Sequence, residues 1–296
     1  MTFDFHSAKR GIILANPHRG YCTQFPENTM PAFQAVLDNG LHTIEIDTVM
    51  TADEQFVVIH DTTIDRTSNG TGYVEQMTLS ELKQYDFGCY FGEAFKNTPI
   101  PELREVLKWA VENGVGLVVE LKQRRNHARC AEVLANLFRE TGSVDNVILL
   151  GFDHVLLNRV KTLLPQTKIQ VVTLARYQNQ LQAVLGSNAD SVCCEYHFVA
   201  KEDLIAYKNA GLTTRLFLHS AKPGEILSTT QRYNEKYGYD AESEIIEWLR
   251  EGLIDMLSHD DIGYLKSMIE RAGKVKSERD NCDEKSEIIR SRFYCT

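Results

Sequence analysis

The segment TIEIDTVMTADEQFVVIH occupies residues 43–60 and decides the fold. It contains two short apolar runs, at 43–47 and 56–60, on either side of the polar turn TADEQ. Runs of roughly four to eight residues that are rich in Val, Ile and Leu, without strict alternation, are typical of strands buried on both faces. The segment therefore predicts a buried strand followed by a hairpin-like return strand.

Similar runs recur on both sides of this segment. They are GIILAN (11–16), GLVVEL (116–121), VILLGF (147–152), KIQVVTL (168–174), DSVCCEY (190–196), TTRLFLH (213–219) and LIDMLS (253–258). Helical patterns separate them; for example, Val106, Leu107 and Ala110 follow Leu103 on one helix face. About eight strand–helix repeats predict an α/β fold of the (β/α)8 TIM-barrel type. A doubly wound open sheet is the alternative, but it brings residues of the first three strands around one mouth less naturally.

Two segments depart from the even spacing of strands and helices. Residues 61–98 are rich in turn residues and are predicted to be a small insertion after the second strand, and residues 221–240 form another long connection after the seventh. Connections of this length are uncommon unless they cover a site or carry their own structure. We predict one barrel domain over residues 1–272. The charged segment 273–296 is predicted to be a fraying extension or an oligomer contact.

The amino-acid composition limits the kinds of partner that the protein is expected to bind. A net charge of −9 and a pI near 5.5 argue against binding to nucleic acid or to an anionic membrane, because both need a basic surface. The N-terminus MTFDFHSAKR has no signal-peptide profile, and no apolar stretch reaches the ~20 residues that span a bilayer. The seven cysteines form no C-x-x-C pair and are expected to be free thiols. These features predict a soluble cytoplasmic protein without a stable membrane anchor.

Charged and titratable side chains follow the first predicted strands. They are His18, Arg19, Glu45, Asp47, His60, Glu120 and Lys122. Glu45 and Asp47 are two residues apart and therefore lie on one face of a strand, where their charges repel unless a cation lies between them. Three carboxylates suit Mg²⁺ or Ca²⁺, and the sequence does not choose between these ions. The alternative is that these charges form ion pairs at the rim, such as Glu120 with Lys122.

The remaining members of this set can act on a phosphate ester. His18 and His60 are able to exchange a proton near pH 7, so one can accept a proton from the attacking hydroxyl while the other donates one to the leaving alkoxide. Arg19 and Lys122 supply permanent positive charge for phosphate oxygens. Together with the carboxylates, these residues predict a metal-dependent phosphodiesterase that acts on a small-molecule substrate.

Several motifs occur in one order along this part of the chain. They are HRG (18–20), PENT (26–29), EID (45–47), IHD (59–61), DRTSNGTG (65–72), IPELREVL (100–107) and ELK (120–122). In this order and spacing they resemble the glycerophosphodiester phosphodiesterase family. The resemblance implies a barrel fold, a divalent cation, and hydrolysis of glycerophosphodiesters to glycerol 3-phosphate and an alcohol.

The resemblance also implies a role for individual positions. Three carboxylates, those of Glu45, Asp47 and Glu120, correspond to metal ligands. His18 and His60 match the acid–base pair, and Arg19 and Lys122 match phosphate contacts. Asn28 and Asp61 are expected to orient the histidines by hydrogen bonds, and the alternative for Asn28 is that it serves only as the cap of the following helix. In this family the glycerol hydroxyl of the substrate can attack first to give a cyclic phosphate, and the sequence does not decide between this route and direct attack by water.

The C-terminal strands depart from the family pattern. A strand that usually reads like W-T-V-N is here Phe217-Leu218-His219-Ser220, so only an aromatic ring is kept. The usual G-V-D-G-I-x-T-D-x-P ending appears as GLIDMLSHDD at 252–261. The resemblance implies that these strands help to shape the part of the pocket that holds the glycerol or the alcohol. Two alternatives therefore stay open: a hydrolase of lysophospholipids or other phosphodiesters with the same site, and a barrel that binds phosphodiesters without cleaving them.

Overall fold

The computed structural model describes residues 3–219 and 229–273, and within these ranges it contains nine strands. They are β1 (Leu14–Pro17), β2 (Thr43–Met50), β3 (Phe56–Val58), β4 (Gly116–Leu121), β5 (Val147–Gly151), β6 (Lys168–Thr173), β7 (Ser191–Glu195), β8 (Thr213–Phe217) and β9 (Met256–His259). Every predicted run overlaps one of these strands. The boundaries differ most at β1 and β9, which each begin three residues later than predicted, and at β2, which continues beyond Asp47 to Met50.

Helices connect most of the strands. They are α1 (Met30–Asp38), α2 (Leu79–Leu82), α3 (Leu103–Asn113), α4 (His127–Thr141), α5 (His154–Leu163), α6 (Gln180–Leu185), α7 (Lys201–Asn209), α8 (Thr229–Tyr237), α9 (Ala241–Arg250) and α10 (Ile262–Arg271). A glycine ends α3, since Gly114 adopts a left-handed φ of 65° directly after it. Within the residues that the structure describes, no helix is both long and apolar enough to cross a membrane.

The strands form one curled sheet in the order β1-β9-β8-β7-β6-β5-β4-β2-β3. All neighbours are parallel except β3, which pairs antiparallel with β2 as the predicted return strand. At the opposite end of this order, β1 approaches β2: His18 forms a parallel bridge with Glu45, and the Thr43 hydroxyl donates a 2.6 Å hydrogen bond to the Ala15 carbonyl. The sheet thus curls until its first and second strands meet. This closure gives a TIM-barrel-like fold rather than an open doubly wound sheet.

Two apolar clusters explain why the strands are hydrophobic on both faces. Alternate residues of β4 separate into them: Val118 packs inside the barrel with Leu14 and Ile148, whereas Val119 packs outside it against the helices. A strand with period-two side chains can supply both layers only if every position is apolar. The continuous Val, Ile and Leu runs are the result.

The two long connections carry structure of their own. Residues 61–98 contain only short helices, and their apolar side chains pack with the β2–β3 hairpin in a separate cluster that includes Val49, Ile64 and Phe87. Within 221–240, residues 229–237 form α8, whereas the remainder up to residue 228 lies outside the described residues. Residues 274–296 of the predicted tail also lie outside them. The five cysteines of the described ranges are free, and Cys130, Cys193 and Cys194 are buried.

Candidate active site

The three predicted metal ligands lie together at the carboxyl ends of β2 and β4. Asp47 stands opposite Glu120 in the parallel register, and Glu45 precedes Asp47 on the same face of β2. One carboxylate oxygen from each of the three residues lies within 4.8 Å of the other two. All three side chains are buried. Burial of three carboxylates in one cluster is costly unless positive charge offsets it.

The electrostatics of this cluster fit a hard divalent cation. Burial, together with repulsion from Asp47, raises the pKa of Glu45 to about 7. Burial also acts to raise the pKa of Asp47, but the charges of Lys122 and Arg19 outweigh it and lower that pKa. Glu45 Oε1 and Asp47 Oδ1 are buried and accept no hydrogen bond. Buried oxygen ligands with spare lone pairs are what Mg²⁺ and Ca²⁺ require.

Two cations lie against these carboxylates. Lys122 Nζ is 2.7 Å from Glu120 Oε1 and 3.4 Å from Asp47 Oδ1. Arg19 directs its backbone N–H to Glu45 Oε2 at 3.1 Å, and its Nε lies 3.4 Å from Asp47 Oδ2. The ion pair between Glu120 and Lys122, which was the alternative interpretation, therefore exists in the structure. This ion pair lies inside the carboxylate cluster and not on an outer rim. Its presence therefore does not exclude Glu120 and Lys122 from the candidate site.

His18 lies beside the cluster and is held by a residue far along the chain. Its Nδ1 is 2.7 Å from Asp260 Oδ1, and its Nε2 is 3.8 Å from Glu45 Oε2. Burial acts to lower the pKa of His18, but the Glu45 charge and the Asp260 hydrogen bond more than offset this and raise it. The ring of Phe217 packs edge-on against His18 with 5.0 Å between centroids. Phe217 therefore supports His18 directly.

His60 is held by the adjacent residue of its own motif. Its Nδ1 lies 2.6 Å from Asp61 Oδ1, as predicted for a carboxylate that orients a histidine. Arg66 donates a 2.7 Å hydrogen bond to Asp61 Oδ2 and a bidentate pair of 2.7 Å hydrogen bonds to Glu27. Burial acts to raise the pKa of Asp61, but the Arg66 and His60 hydrogen bonds lower it to about 2. Asp61 therefore remains ionised over the whole neutral range.

Asn28 contacts a metal-ligand candidate and not a histidine, so the predicted role was wrong. Its Nδ2 donates to Asp47 Oδ2 at 2.9 Å, and its Oδ1 accepts the Asp47 backbone N–H at 3.2 Å. Asn28 adopts a left-handed φ of 56°, and its backbone N–H donates to the Arg19 carbonyl at 3.0 Å. Asparagine tolerates this conformation better than most residues. The reciprocal hydrogen bonds fix Asp47 at the centre of the carboxylate cluster.

These groups surround one cavity of about 650 Å³. It is lined by His18, Arg19, Cys22, Thr23, Glu27, Glu45, His60, Glu120, Lys122, Leu150, Phe152, Val172, Cys193, Glu195, Arg215, Phe217, His219 and Asp260. Glu45, Glu120 and both histidines thus face one ligand-sized space with a partly apolar floor, and Asp47 lies behind the lining. This geometry permits a phosphate ester to contact cations and titratable groups at the same time.

Known proteins resemble this chain over most of its length or over about half of it. Residues 18–263 match the model of the glycerophosphoryl diester phosphodiesterase family. The chain belongs to this family. The YhdW protein of Bacillus subtilis (strain 168) is 35% identical over 170 residues, which is 56% of this chain and 70% of that protein. The glycerophosphodiester phosphodiesterase of Caldanaerobacter subterraneus subsp. tengcongensis is 38% identical over 153 residues, 51% of this chain and 63% of that enzyme.

Solved structures of the glycerophosphoryl diester phosphodiesterase family share the fold. A phosphodiesterase of Oleispira antarctica, solved with the product sn-glycerol-3-phosphate, has a TM-score of 0.74 and 22% identity over 89% of this chain and 99% of that one. The glycerophosphodiester phosphodiesterase of Agrobacterium tumefaciens str. C58 has a TM-score of 0.65 and 24% identity over 84% and 97% of the two chains. At these identities the likeness establishes the barrel-like fold.

Sequence reasoning missed several residues that lie in or beside this cavity. Asp260 follows β9 directly, so the strand-end argument that selected His18 also applied to it. Glu27 and Arg66 lie inside the quoted PENT and DRTSNGTG motifs, but their bidentate pairing is a tertiary contact. Glu195 and Arg215 lie on β7 and β8 and line the cavity, and no motif marked them.

Proposed function

We propose that this chain hydrolyses glycerophosphodiesters to glycerol 3-phosphate and an alcohol, with Mg²⁺ or Ca²⁺ held by Glu45, Asp47 and Glu120. The observation that carries the proposal is the cluster of these three buried carboxylates, two of which line one cavity together with two carboxylate-bound histidines. Membership of the family supports the reaction class. The product bound to the Oleispira antarctica relative is the one expected here.

Hydrolysis forms one P–O bond and breaks another, so it needs a proton acceptor and a proton donor. In our proposal His18 and His60 fill these two roles. Asp260 and Asp61 bind the Nδ1 atoms, which fixes each ring and leaves Nε2 to exchange a proton. The same two histidines serve attack by water and attack by the glycerol hydroxyl that gives a cyclic phosphate. The bound cation would polarise the phosphoryl oxygens and offset developing negative charge.

Arg19 and Lys122 are proposed to contact the phosphate of the substrate. Both side chains line the cavity, and both are positioned by carboxylates of the cluster. Asn28 would act through Asp47, because its hydrogen bonds hold that ligand in place. We also propose that residues 61–98 are an insertion into one barrel domain, which supplies Arg66 to the wall that carries His60.

The test is release of glycerol 3-phosphate from glycerophosphocholine, glycerophosphoethanolamine and glycerophosphoglycerol. Chelator-treated protein is compared with the same protein after addition of Mg²⁺ or Ca²⁺, and His18→Ala is the inactive control. We expect release that returns with one of the cations and is absent from the variant. Release that persists in the chelator would contradict the metal assignment. No release under any condition, although the diesters bind, would indicate a non-catalytic barrel.

A further inference from the structure

Glu195 and His219 form a second histidine–carboxylate pair on the wall of the candidate active site. Glu195 is the last residue of β7 and His219 lies two residues beyond β8, and both line the cavity that contains His18. His219 Nε2 lies 3.1 Å from Glu195 Oε2. The proposed hydrolysis assigns no role to this pair.

Phe217 connects the pair to the reaction centre. Its ring centroid lies 5.0 Å from that of His18 and 4.9 Å from that of His219, and it presents an edge contact to both. The pair therefore lies on the same wall as His18, across the ring of Phe217. A substrate whose phosphate lies beside His18 places one of its two alcohol groups along this wall.

The chemistry of the pair suits a hydroxyl group. The His219 hydrogen bond lowers the pKa of Glu195, so the carboxylate stays ionised at neutral pH. A carboxylate accepts several hydrogen bonds, and the one from His219 leaves capacity for another donor. With Nε2 directed to Glu195, the Nδ1 atom of His219 can accept a hydrogen bond when neutral and donate one when protonated. One hydroxyl group can donate to the Glu195 carboxylate and a second can bond to His219 Nδ1, whereas a quaternary ammonium group has no hydrogen to donate.

Two positive charges near the pair offset part of the charge of Glu195 and so weaken its attraction for a cationic alcohol. The Arg215 guanidinium carbon lies 5.8 Å from the centroid of the Phe217 ring, so a cation already interacts with this aromatic group. Arg215 is buried and donates hydrogen bonds to the neutral groups of Asn16, Cys193 and Ser258. Its guanidinium group therefore places a positive charge beneath the wall. On the outer side, Lys236 contacts His197 and adds a second positive charge near Glu195.

We propose that Glu195 and His219 bind a hydroxyl group of the substrate, and that the site selects phosphodiesters with a polyhydroxy alcohol along this wall over those with a quaternary ammonium group. This inference rests on the proposed function. The hydroxyl can belong to a polyol leaving group or to the glycerol common to all these substrates. Either source places the same chemistry against the same two side chains.

The experiment compares kcat and KM for glycerophosphoglycerol and glycerophosphocholine in the wild type, Glu195→Gln and His219→Ala. Glu247→Gln, which removes an exposed carboxylate of α9 far from the cavity lining, is the matched control. Loss of a hydrogen bond to a charged group corresponds to a decrease of about tenfold to a hundredfold, and we expect it mainly in KM. If the pair binds the leaving alcohol, glycerophosphoglycerol loses this factor in Glu195→Gln while glycerophosphocholine changes less than about threefold.

If the pair binds the glycerol moiety, both substrates lose the same factor. A diester in which the terminal glycerol hydroxyl is replaced by hydrogen then distinguishes binding from damage to the fold. The wild type should use this analogue at least about tenfold less well, and Glu195→Gln should cause no further loss. Equal efficiencies of the wild type and Glu195→Gln with every substrate would overturn the inference. A wild-type preference for glycerophosphocholine that Glu195→Gln abolishes would also overturn it.

A binding measurement separates this inference from the proposed reaction. The His60→Ala variant, titrated calorimetrically with both diesters in the presence of the cation, needs no turnover. We expect tighter binding of glycerophosphoglycerol, and this preference should be lost when Glu195→Gln is added. If the wild type shows no hydrolysis but this preference is present, the proposed function fails and the assignment of the pair stands. Equal weakening of both diesters by Glu195→Gln would place the pair against the glycerol moiety. If Glu195→Gln weakens the binding of neither diester, the assignment of the pair fails regardless of turnover.

Discussion

The two histidines of the site are held in the same way by very different parts of the chain. His60 and Asp61 are adjacent residues of one motif, whereas 242 residues separate His18 from Asp260. The first pair forms in the loop after β3, and the second forms only when β1 and β9 align side by side. A local pair can be read from a motif. A pair that depends on barrel closure requires knowledge of which strand ends are neighbours.

The two pairs also differ in exposure. The His18 side chain is 16% exposed and that of His60 is 31% exposed. Asp61 shares its carboxylate with Arg66, which is itself bound to Glu27, so several charges hold His60 in an outer network. His18 depends on Asp260 and on packing against Phe217. We therefore expect the pair His18–Asp260 to be more sensitive to substitution than the pair His60–Asp61.

The largest expected effect comes from removal of either histidine. His18→Ala and His60→Ala should each lower kcat by about 10²- to 10⁴-fold, because each removes one partner in proton transfer. The control is His42→Ala, which changes a residue just before β2 at the opposite end of the barrel. Thermal melting should show that all three variants remain folded. Near-normal turnover in a folded His18→Ala or His60→Ala protein would disprove that residue's assignment.

Substitution of Asp260 and of Asp61 tests whether the two histidine–carboxylate pairs differ in their sensitivity. Asp260→Asn should lower kcat by about tenfold or more, because the buried His18 loses the charge that orients it. Asp61→Asn should cost less than about tenfold, because water can reach the more exposed His60. The measurement is steady-state kinetics of both variants at one cation concentration. An effect of Asp61→Asn that equals or exceeds that of Asp260→Asn would contradict the ranking of the two pairs.

Glu45 should give the cation-free protein an unusual dependence of stability on pH. Glu45 has a folded pKa of about 7, raised from 4.5, so its contribution to the stability of the cation-free protein is largest below pH 4.5 and is lost as the pH rises through 7. In chelator, Glu45→Gln should therefore raise the melting temperature at pH 8 by a few degrees and change it little at pH 5. The same variant should weaken cation binding at pH 8, because it removes a ligand.

Glu27→Gln is the matched control, because it should change the melting temperature at pH 8 in the opposite direction. Burial acts to raise the pKa of Glu27, but the hydrogen bonds from Arg66 and the charge of Arg19 lower it. This carboxylate stabilises the fold above its unfolded pKa, so its loss should lower the melting temperature at pH 8. A lower melting temperature for Glu45→Gln in chelator at pH 8 would show that the raised pKa of Glu45 is wrong.

The smallest effect is expected at the outer edge of the His60 network. Arg66 is 45% exposed, and its ion pairs with Asp61 and Glu27 are partly screened by solvent. Arg66→Ala should raise KM or lower kcat by only a few-fold, while Arg66→Lys should recover part of the loss. A decrease as large as that of His60→Ala would place Arg66 in direct contact with the reacting phosphate.

The sequence predicted those features that depend on local pattern. Short apolar runs located every strand of the barrel, and the spacing of Glu45, Asp47 and Glu120 brought these carboxylates together because parallel strands end at one edge. The partner of Asn28 could not be predicted, because a residue in a turn can face several strand ends. In the structure it faces Asp47 instead of a histidine.

The features that were missed depend on closure of the barrel. Asp260 reaches His18 because β9 is the neighbour of β1, and the amino-acid pattern of β9 does not reveal that neighbour. Glu195 and His219 meet because β7 and β8 are adjacent and end at the same height. Such contacts follow from the order of strands in the sheet, which no single motif encodes.

The most direct test of the account is phosphorus NMR of glycerophosphoglycerol incubated with chelator-treated protein, before and after addition of Mg²⁺ or Ca²⁺. The account predicts that the diester resonance is replaced by that of a phosphomonoester only when the cation is present, and that His18→Ala prevents this change. A diester resonance that broadens on binding but never converts, with either cation, would contradict the proposed hydrolysis.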